Sequence, residues 1–282
     1  MTDWPNFIDP DDLAPGDSTP HPDLSEGIRL HVVESPDDPL FDLAFRLLDE
    51  EFADAGEMET REVLEKRLLW HPSRPANGCR LLYRIMMLFV DDECVGLRDH
   101  TAILRDDFPD VVVHLSHVLV LPKWRRKGLA TILRTLPMAT AKECARLSGR
   151  SGAPVTLFCE MEPLDLTIPA NRIRRLSYGK AGFLSAGSHL GYSQPDFRAP
   201  ALIYADPQGT RPVPFDFLLR RAGREDETTV PASAIVGYVE LIYAMYGVGF
   251  RQQDMRPCLR WLADFKTRPD QFYPLFPPTE AP

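Results

Sequence analysis

Along residues 28–121 the spacing of apolar positions changes period several times, and each change marks an element. Ile28–Val33 has the apolar, β-branched character of a first strand. Leu40, Leu43, Ala44, Leu47, Leu48 and Phe52 recur at helical spacing and predict a helix over Leu40–Ala55; Glu59–Trp70 predicts a second. Two apolar runs, Arg80–Val90 and Cys94–Leu104, flank the turn-forming Asp91-Asp92-Glu93, and Asp110–Leu121 forms a third long strand. Helical spacing returns over Gly128–Leu147, where Pro137 must kink or split the helix because it lacks an N–H. Val155–Glu160 follows as a strand and Asn171–Lys180 as a short helix. Ala201–Ala205 and Val213–Arg220 are expected to close the sheet as a hairpin, and Pro231–Tyr246 and Arg256–Phe265 predict two more helices.

This succession predicts a mixed α/β fold, with one βαβ crossover between Leu121 and Val155. Residues 1–26 read differently. They carry five prolines and seven acidic residues with no Lys or Arg, too little apolar surface to offset ordering entropy, and are expected to be a flexible tail. The expected organisation is a disordered acidic tail over 1–26, a mixed α/β domain over 27–221, and a helical extension over 222–282 packed on it.

Charge changes the picture less than it first suggests. Of the net −9, the tail holds −7, so the remainder is close to neutral and says little about a ligand. A nucleic-acid surface is disfavoured. Neither a signal peptide nor a membrane span is read from the N-terminus or from any long apolar run, and a cytoplasmic location is expected. Five scattered cysteines with no C-x-x-C pair read as reduced thiols, and no metal site is expected.

The chemistry concentrates in Val118-Leu-Val-Leu-Pro-Lys-Trp-Arg-Arg-Lys-Gly-Leu-Ala130. An apolar strand ends at Pro122, a basic cluster follows, and Arg125-x-x-Gly128-x-Ala130 opens a helix. The first N–H groups of a helix have no partner within it and its dipole favours negative charge there, so this is an anion cradle. Gly128 lets the backbone approach a phosphate, and Arg125, Arg126 and Lys127 add positive charge. The G-x-x-x-x-G-K-[ST] of a P-loop is absent.

The stretch resembles motif A of the GNAT superfamily of N-acetyltransferases, whose Arg/Gln-x-x-Gly-x-Gly/Ala loop grips the coenzyme A pyrophosphate. Asn171-Arg-Ile-Arg-Arg-Leu-Ser-Tyr178-Gly-Lys-Ala-Gly182-Phe183 resembles motif B, with Arg174 and Ser177 departing from the pattern. The resemblance covers about residues 28–221. It implies a central mixed, mostly antiparallel sheet flanked by helices, with splayed central strands. It also implies acetyl-CoA as donor and Val118, Leu119, Val120, Arg125, Arg126, Lys127, Gly128, Leu129, Ala130 and Asn171 as its binding residues. Backbone N–H groups near Val118–Val120 would serve the acetyl carbonyl, and Tyr178 would be the general acid toward the CoA sulfur.

For a general base, alternation in Asp110–Leu121 puts His114, Ser116, Val118 and Val120 on one face and His117 on the other. His114 falls where related enzymes carry a catalytic Glu or His; its plainer reading is a histidine satisfied by neighbours. Glu160 is the second candidate, with an ion pair to Arg172 or Arg175 as the plainer alternative. An amine acceptor, small or on a protein, would meet Glu50, Glu51, Asp99, Tyr192 and Asp196. Ile235, Val239, Ile242 and Tyr246 at helical spacing read as core or as a homodimer face. Two alternatives to N-acetyl transfer stay open: a non-catalytic CoA-binding sensor, and an acyltransferase using a longer acyl donor.

Overall fold

The computed structural model describes residues 4–17, 27–53, 58–198, 200–269 and 271–280. Chain order begins β1 (Ile28–Val33), α1 (Phe41–Phe52), α2 (Arg61–Leu68), β2 (Arg80–Val90), β3 (Glu93–Leu104), β4 (Val111–Val120), α3 (Leu129–Thr135), α4 (Pro137–Leu147), β5 (Val155–Met161) and α5 (Pro169–Lys180). It continues with β6 (Leu184–Ser185), β7 (Ser193–Gln194), α6 (Pro200–Ala205), β8 (Val213–Pro214), β9 (Asp216–Arg221), β10 (Thr229–Pro231), α7 (Ala232–Gly249), α8 (Gln252–Lys266) and β11 (Phe272–Pro274).

The main sheet runs β1-β2-β3-β4-β5-β9-β6. Every neighbouring pair is antiparallel except β4–β5, which the α3–α4 crossover joins in parallel. The mixed sheet expected from the pattern, mostly antiparallel as the resemblance implies, is therefore present. Pro137 acts as foreseen: it splits the predicted helix at Leu136 and becomes the first residue of α4, where its missing N–H costs nothing.

β2 and β3 are buried along nearly their whole length because helices cover both faces. On one face α1 and α2 bury Phe41, Ala44, Leu48 and Leu64 against Tyr83, Ile85 and Leu97. On the other, α3 covers Met86, Leu88 and Val95, and α4 covers Leu82 and Ala102. α7 joins a further cluster, burying Ile235, Val239 and Ile242 with Leu81, Ile103, Val112 and Phe158 of the sheet. It approaches closely enough that a β-carbon at Gly237 would lie 2.0 Å from the Phe108 ring.

Two expectations fail. Ala201–Ala205 is not a strand: Pro200 opens α6 there, a position suited to its fixed φ, and β9 pairs with β5 and β6. Residues 4–17, expected within a flexible tail, pack on the domain, while 1–3 and 18–26 lie outside the described residues. Ile8 and Ala14 are buried, Lys142 pairs with Asp9 at 2.8 Å and Asp12 at 2.7 Å, and Arg134 pairs with Asp17 at 3.2 Å. Acidity that reads as a solvated tail is thus partly matched by cations on α3 and α4.

Candidate active site

Parallel pairing of β4 with β5 runs from Val111–Val155 to Leu115–Cys159 and stops, although β4 continues to Val120. The gap opens into a cavity of about 680 Å³. β4 also bulges there: Arg98 faces Val118 and His100 faces Leu115, so only Asp99 lies opposite Ser116 and His117. A bulge re-aims side chains, and His114 and His117, which alternation puts on opposite faces, both line the cavity.

His114 and Glu160, weighed as alternative bases, lie together. His114 Nε2 is 2.8 Å from Glu160 Oε2, and both side chains are buried. Gln194 donates to the same oxygen at 2.8 Å, the Tyr246 hydroxyl donates there too, and the Tyr192 hydroxyl donates to Oε1. Burial pushes the Glu160 carboxyl up, but the hydrogen bond and charge of His114 and the two tyrosine hydroxyls outweigh it and hold it below the usual range. Among the described residues Glu160 pairs with His114 and not with Arg172 or Arg175; Arg175 binds Asp216 at 2.6 Å and the Pro278 carbonyl at 3.0 Å.

Tyr178 lines the cavity from α5, its hydroxyl accepting a 2.9 Å bond from the fully buried Arg98. Burial first, then the neighbouring Cys159, push its phenol up to about 12 against the opposing Arg98 charge, so it is protonated at neutral pH. Gly182, at φ 75°, ends this helix in the left-handed conformation and lets Phe183 N–H bond the Tyr178 carbonyl at 3.1 Å. Ser177, a departure from the motif, accepts from Arg134 of α3 at 3.0 Å.

A second depression of about 150 Å³ is lined by Val120, Trp124, Arg125, Arg126, Gly128, Leu129 and Ala130. Gly128 (φ 83°) and Arg126 (φ 67°) are both left-handed, turning the loop sharply into α3. Leu129 and Ala130 open that helix, where N–H groups lack partners within it. Of the remaining donor-binding expectations, Lys127 stacks on Trp124 at 4.4 Å, Val118 lines the large cavity, and Leu119 turns its side chain into the core. Asn171 donates to the Pro163 carbonyl at 3.3 Å.

The acceptor expectations scatter. Glu50 and Glu51 sit exposed on α1, Glu51 being 3.7 Å from Arg125. Asp99 is buried behind β4, accepting from the His117 backbone at 2.8 Å, the His117 ring at 3.0 Å and the Tyr83 hydroxyl at 2.8 Å. Tyr192 is buried among Phe158, Phe217 and Tyr243. Asp196 lines the cavity but is clamped by Arg198 at 2.6 Å. Sequence reading missed Tyr246, taken for core or dimer face, and Glu59, Phe52, His117 and Gln194, which also line the cavity. One signal for the region was available: Arg98-Asp99-His100-Thr101, four polar residues inside an apolar strand, are all fully buried.

No family model matches the chain, and no curated protein does. Among solved structures, an aminoglycoside acetyltransferase from an uncultured soil metagenomic sample aligns at 15% identity and TM-score 0.37 over 55% of this chain and 88% of its own. An acetyltransferase of the GNAT family from Streptococcus pneumoniae aligns at 18% and 0.38, over 68% of this chain and 99% of its own. N-acetylglutamate synthase from Neisseria gonorrhoeae, complexed with coenzyme A and N-acetyl-glutamate, aligns at 16% and 0.37, over 70% of this chain and 36% of its own. At such scores the likeness carries no inference about activity.

Proposed function

We propose that this protein is an acetyl-CoA-dependent N-acetyltransferase of the GNAT type, acting on a primary amine. The observation that carries the reading is the parting of β4 and β5 beyond Leu115 and Cys159, with Tyr178 on one wall of the gap and the His114–Glu160 pair on another. The left-handed turn at Arg126 and Gly128, its arginines and the first amides of α3 suit a pyrophosphate, and Arg125, Arg126, Gly128, Leu129 and Ala130 would hold it. When bound, acetyl-CoA supplies an activated thioester carbonyl.

The chain's own groups move the protons. An amine attacks only when unprotonated, and the Glu160 carboxylate, ionised at neutral pH and bonded to His114, is the base that receives its proton. The backbone at the gap near Val118 would orient the carbonyl. Tyr178, protonated and beside Arg98, is the acid for the departing sulfur; the guanidinium favours the phenolate left behind.

Near-saturating acetyl-CoA is expected to raise Tm on the order of 5 °C, and thiol release should report transfer to members of an amine panel. Tyr178→Phe should keep the thermal shift and lower transfer about 100-fold. A Tm indifferent to millimolar acetyl-CoA overturns the proposal. The many bonds on Glu160, from His114, Tyr192, Gln194 and Tyr246, favour a CoA-binding sensor as second reading. That reading is supported if the Tm rises and no amine or longer acyl donor yields thiol.

A further inference from the structure

Glu59 lies just before α2, and its side chain, 8% exposed, lines the large cavity. One carboxylate oxygen pairs with Arg67, itself buried; the other, Oε2, is buried with no hydrogen-bond partner among the described residues. A buried carboxylate oxygen left unpaired carries a substantial desolvation cost, which a ligand donor would relieve.

The open position is a carboxylate oxygen, an acceptor that an ammonium N–H donor fits. The Tyr246 hydroxyl is pushed well above its usual range by burial, then by Glu160, and by Glu59 as well, so both carboxylates act on the same hydroxyl. The carboxylates nearby already face partners, Glu160 the His114 ring, Asp99 the His117 ring and Glu59 Arg67, which leaves Glu59 Oε2 as the acceptor open to a ligand. The arginines at the cavity's rim bring no surplus positive charge: Arg198 pairs with Asp196 and Asp206, Arg211 with Asp206, and Arg174 with Glu162.

We propose that Glu59 anchors a second ammonium group of the acceptor, so that the substrate class is a di- or polyamine and not a monoamine. The proposal rests on the cavity being the acceptor site of an acetyltransferase. Glu160 with His114 takes the proton of the reacting amine, while Glu59 holds a nitrogen that stays charged.

The test is calorimetric binding of n-butylamine, 1,4-diaminobutane and a diamino sugar to the full chain with coenzyme A present, alongside acetyl transfer to each. At least one diamine is expected to bind about tenfold or more tightly than n-butylamine, and the better of the two tells a linear from a cyclic spacing. Glu59→Gln should erase that preference while keeping the thermal shift with acetyl-CoA; if the glutamine variant does not fold, Glu59→Asp, which keeps the charge facing Arg67 but is one methylene shorter and withdraws from the cavity, should weaken the preference severalfold. Equal binding of mono- and diamines, no amine binding at all, or a preference unchanged in a folded Glu59 variant overturns the proposal. Loss of acetyl-CoA binding or transfer overturns the enzymatic reading separately, because the diamine preference is read by binding alone.

Discussion

Glu160 shows how burial and hydrogen bonding compete at one carboxyl. Desolvation alone would neutralise it, yet His114, Tyr192 and Tyr246 keep it ionised below its ordinary value of 4.5. A carboxyl that titrates lower in the folded chain than in the unfolded one stabilises the fold at every pH above the unfolded value. That contribution is lost as the pH falls through the folded value. Glu160→Gln is therefore expected to cost about 1–3 kcal/mol at pH 7 and to shed part of the acid-induced fall in Tm below about pH 4.5. Part of the fall should persist, because Asp99 is also depressed: burial raises it, but the His117 charge and bonds prevail. Melting curves of both proteins from pH 3 to 8 would check this, and parallel curves would show that Glu160 is not linked to folding.

Elements place these residues through irregularities in otherwise regular structure. The bulge in β4 brings His117 to the cavity alongside His114, and the sharp turn at Arg126–Gly128 aims the start of α3 at the basic depression. A left-handed φ of 83° at Gly128 costs a residue with a β-carbon roughly 1–2 kcal/mol. Gly128→Glu adds a carboxylate beside the depression as well. The expected outcome is a modest fall in the Tm of the free protein and complete loss of its response to acetyl-CoA. A response of wild-type size in a folded variant would remove the loop from the donor site.

At the scale of the whole molecule, the C-terminal segment is part of the central core. α7 buries ten of its residues, among them Ile235, Val239 and Ile242 against the sheet, and Tyr246 reaches Glu160 from it. Each large apolar side chain contributes about 1.5–3 kcal/mol on burial, and a whole domain is stable by only about 5–15 kcal/mol. A chain ending at Arg221 is therefore expected to unfold or aggregate, with loss of the cooperative melt in circular dichroism. A soluble, cooperatively folding fragment would show that α7 is an ornament on a self-sufficient domain.

Sequence by itself determined most of the elements and their order, though not the helix over Pro200–Ala205, together with the split at Pro137, the basic loop with Gly128 at its turn, and the nomination of Tyr178, His114 and Glu160. The elements, the split and the loop follow from local rules, namely side-chain period, helix-end chemistry and the conformational limits of proline and glycine, while the roles of Tyr178 and His114 were what the motif resemblance implied. Tertiary structure decided what those residues do to one another. His114 and Glu160 read as rivals because a linear pattern gives the βαβ crossover but not the register that sets the end of β5 beside His114. Tyr246 read as core because its spacing is that of core, and only packing shows its hydroxyl on the Glu160 carboxylate. The anchoring oxygen of Glu59 is visible only once Arg67 has taken its partner. Strand parting, burial and pairing across long chain separations are non-local, and they made the site.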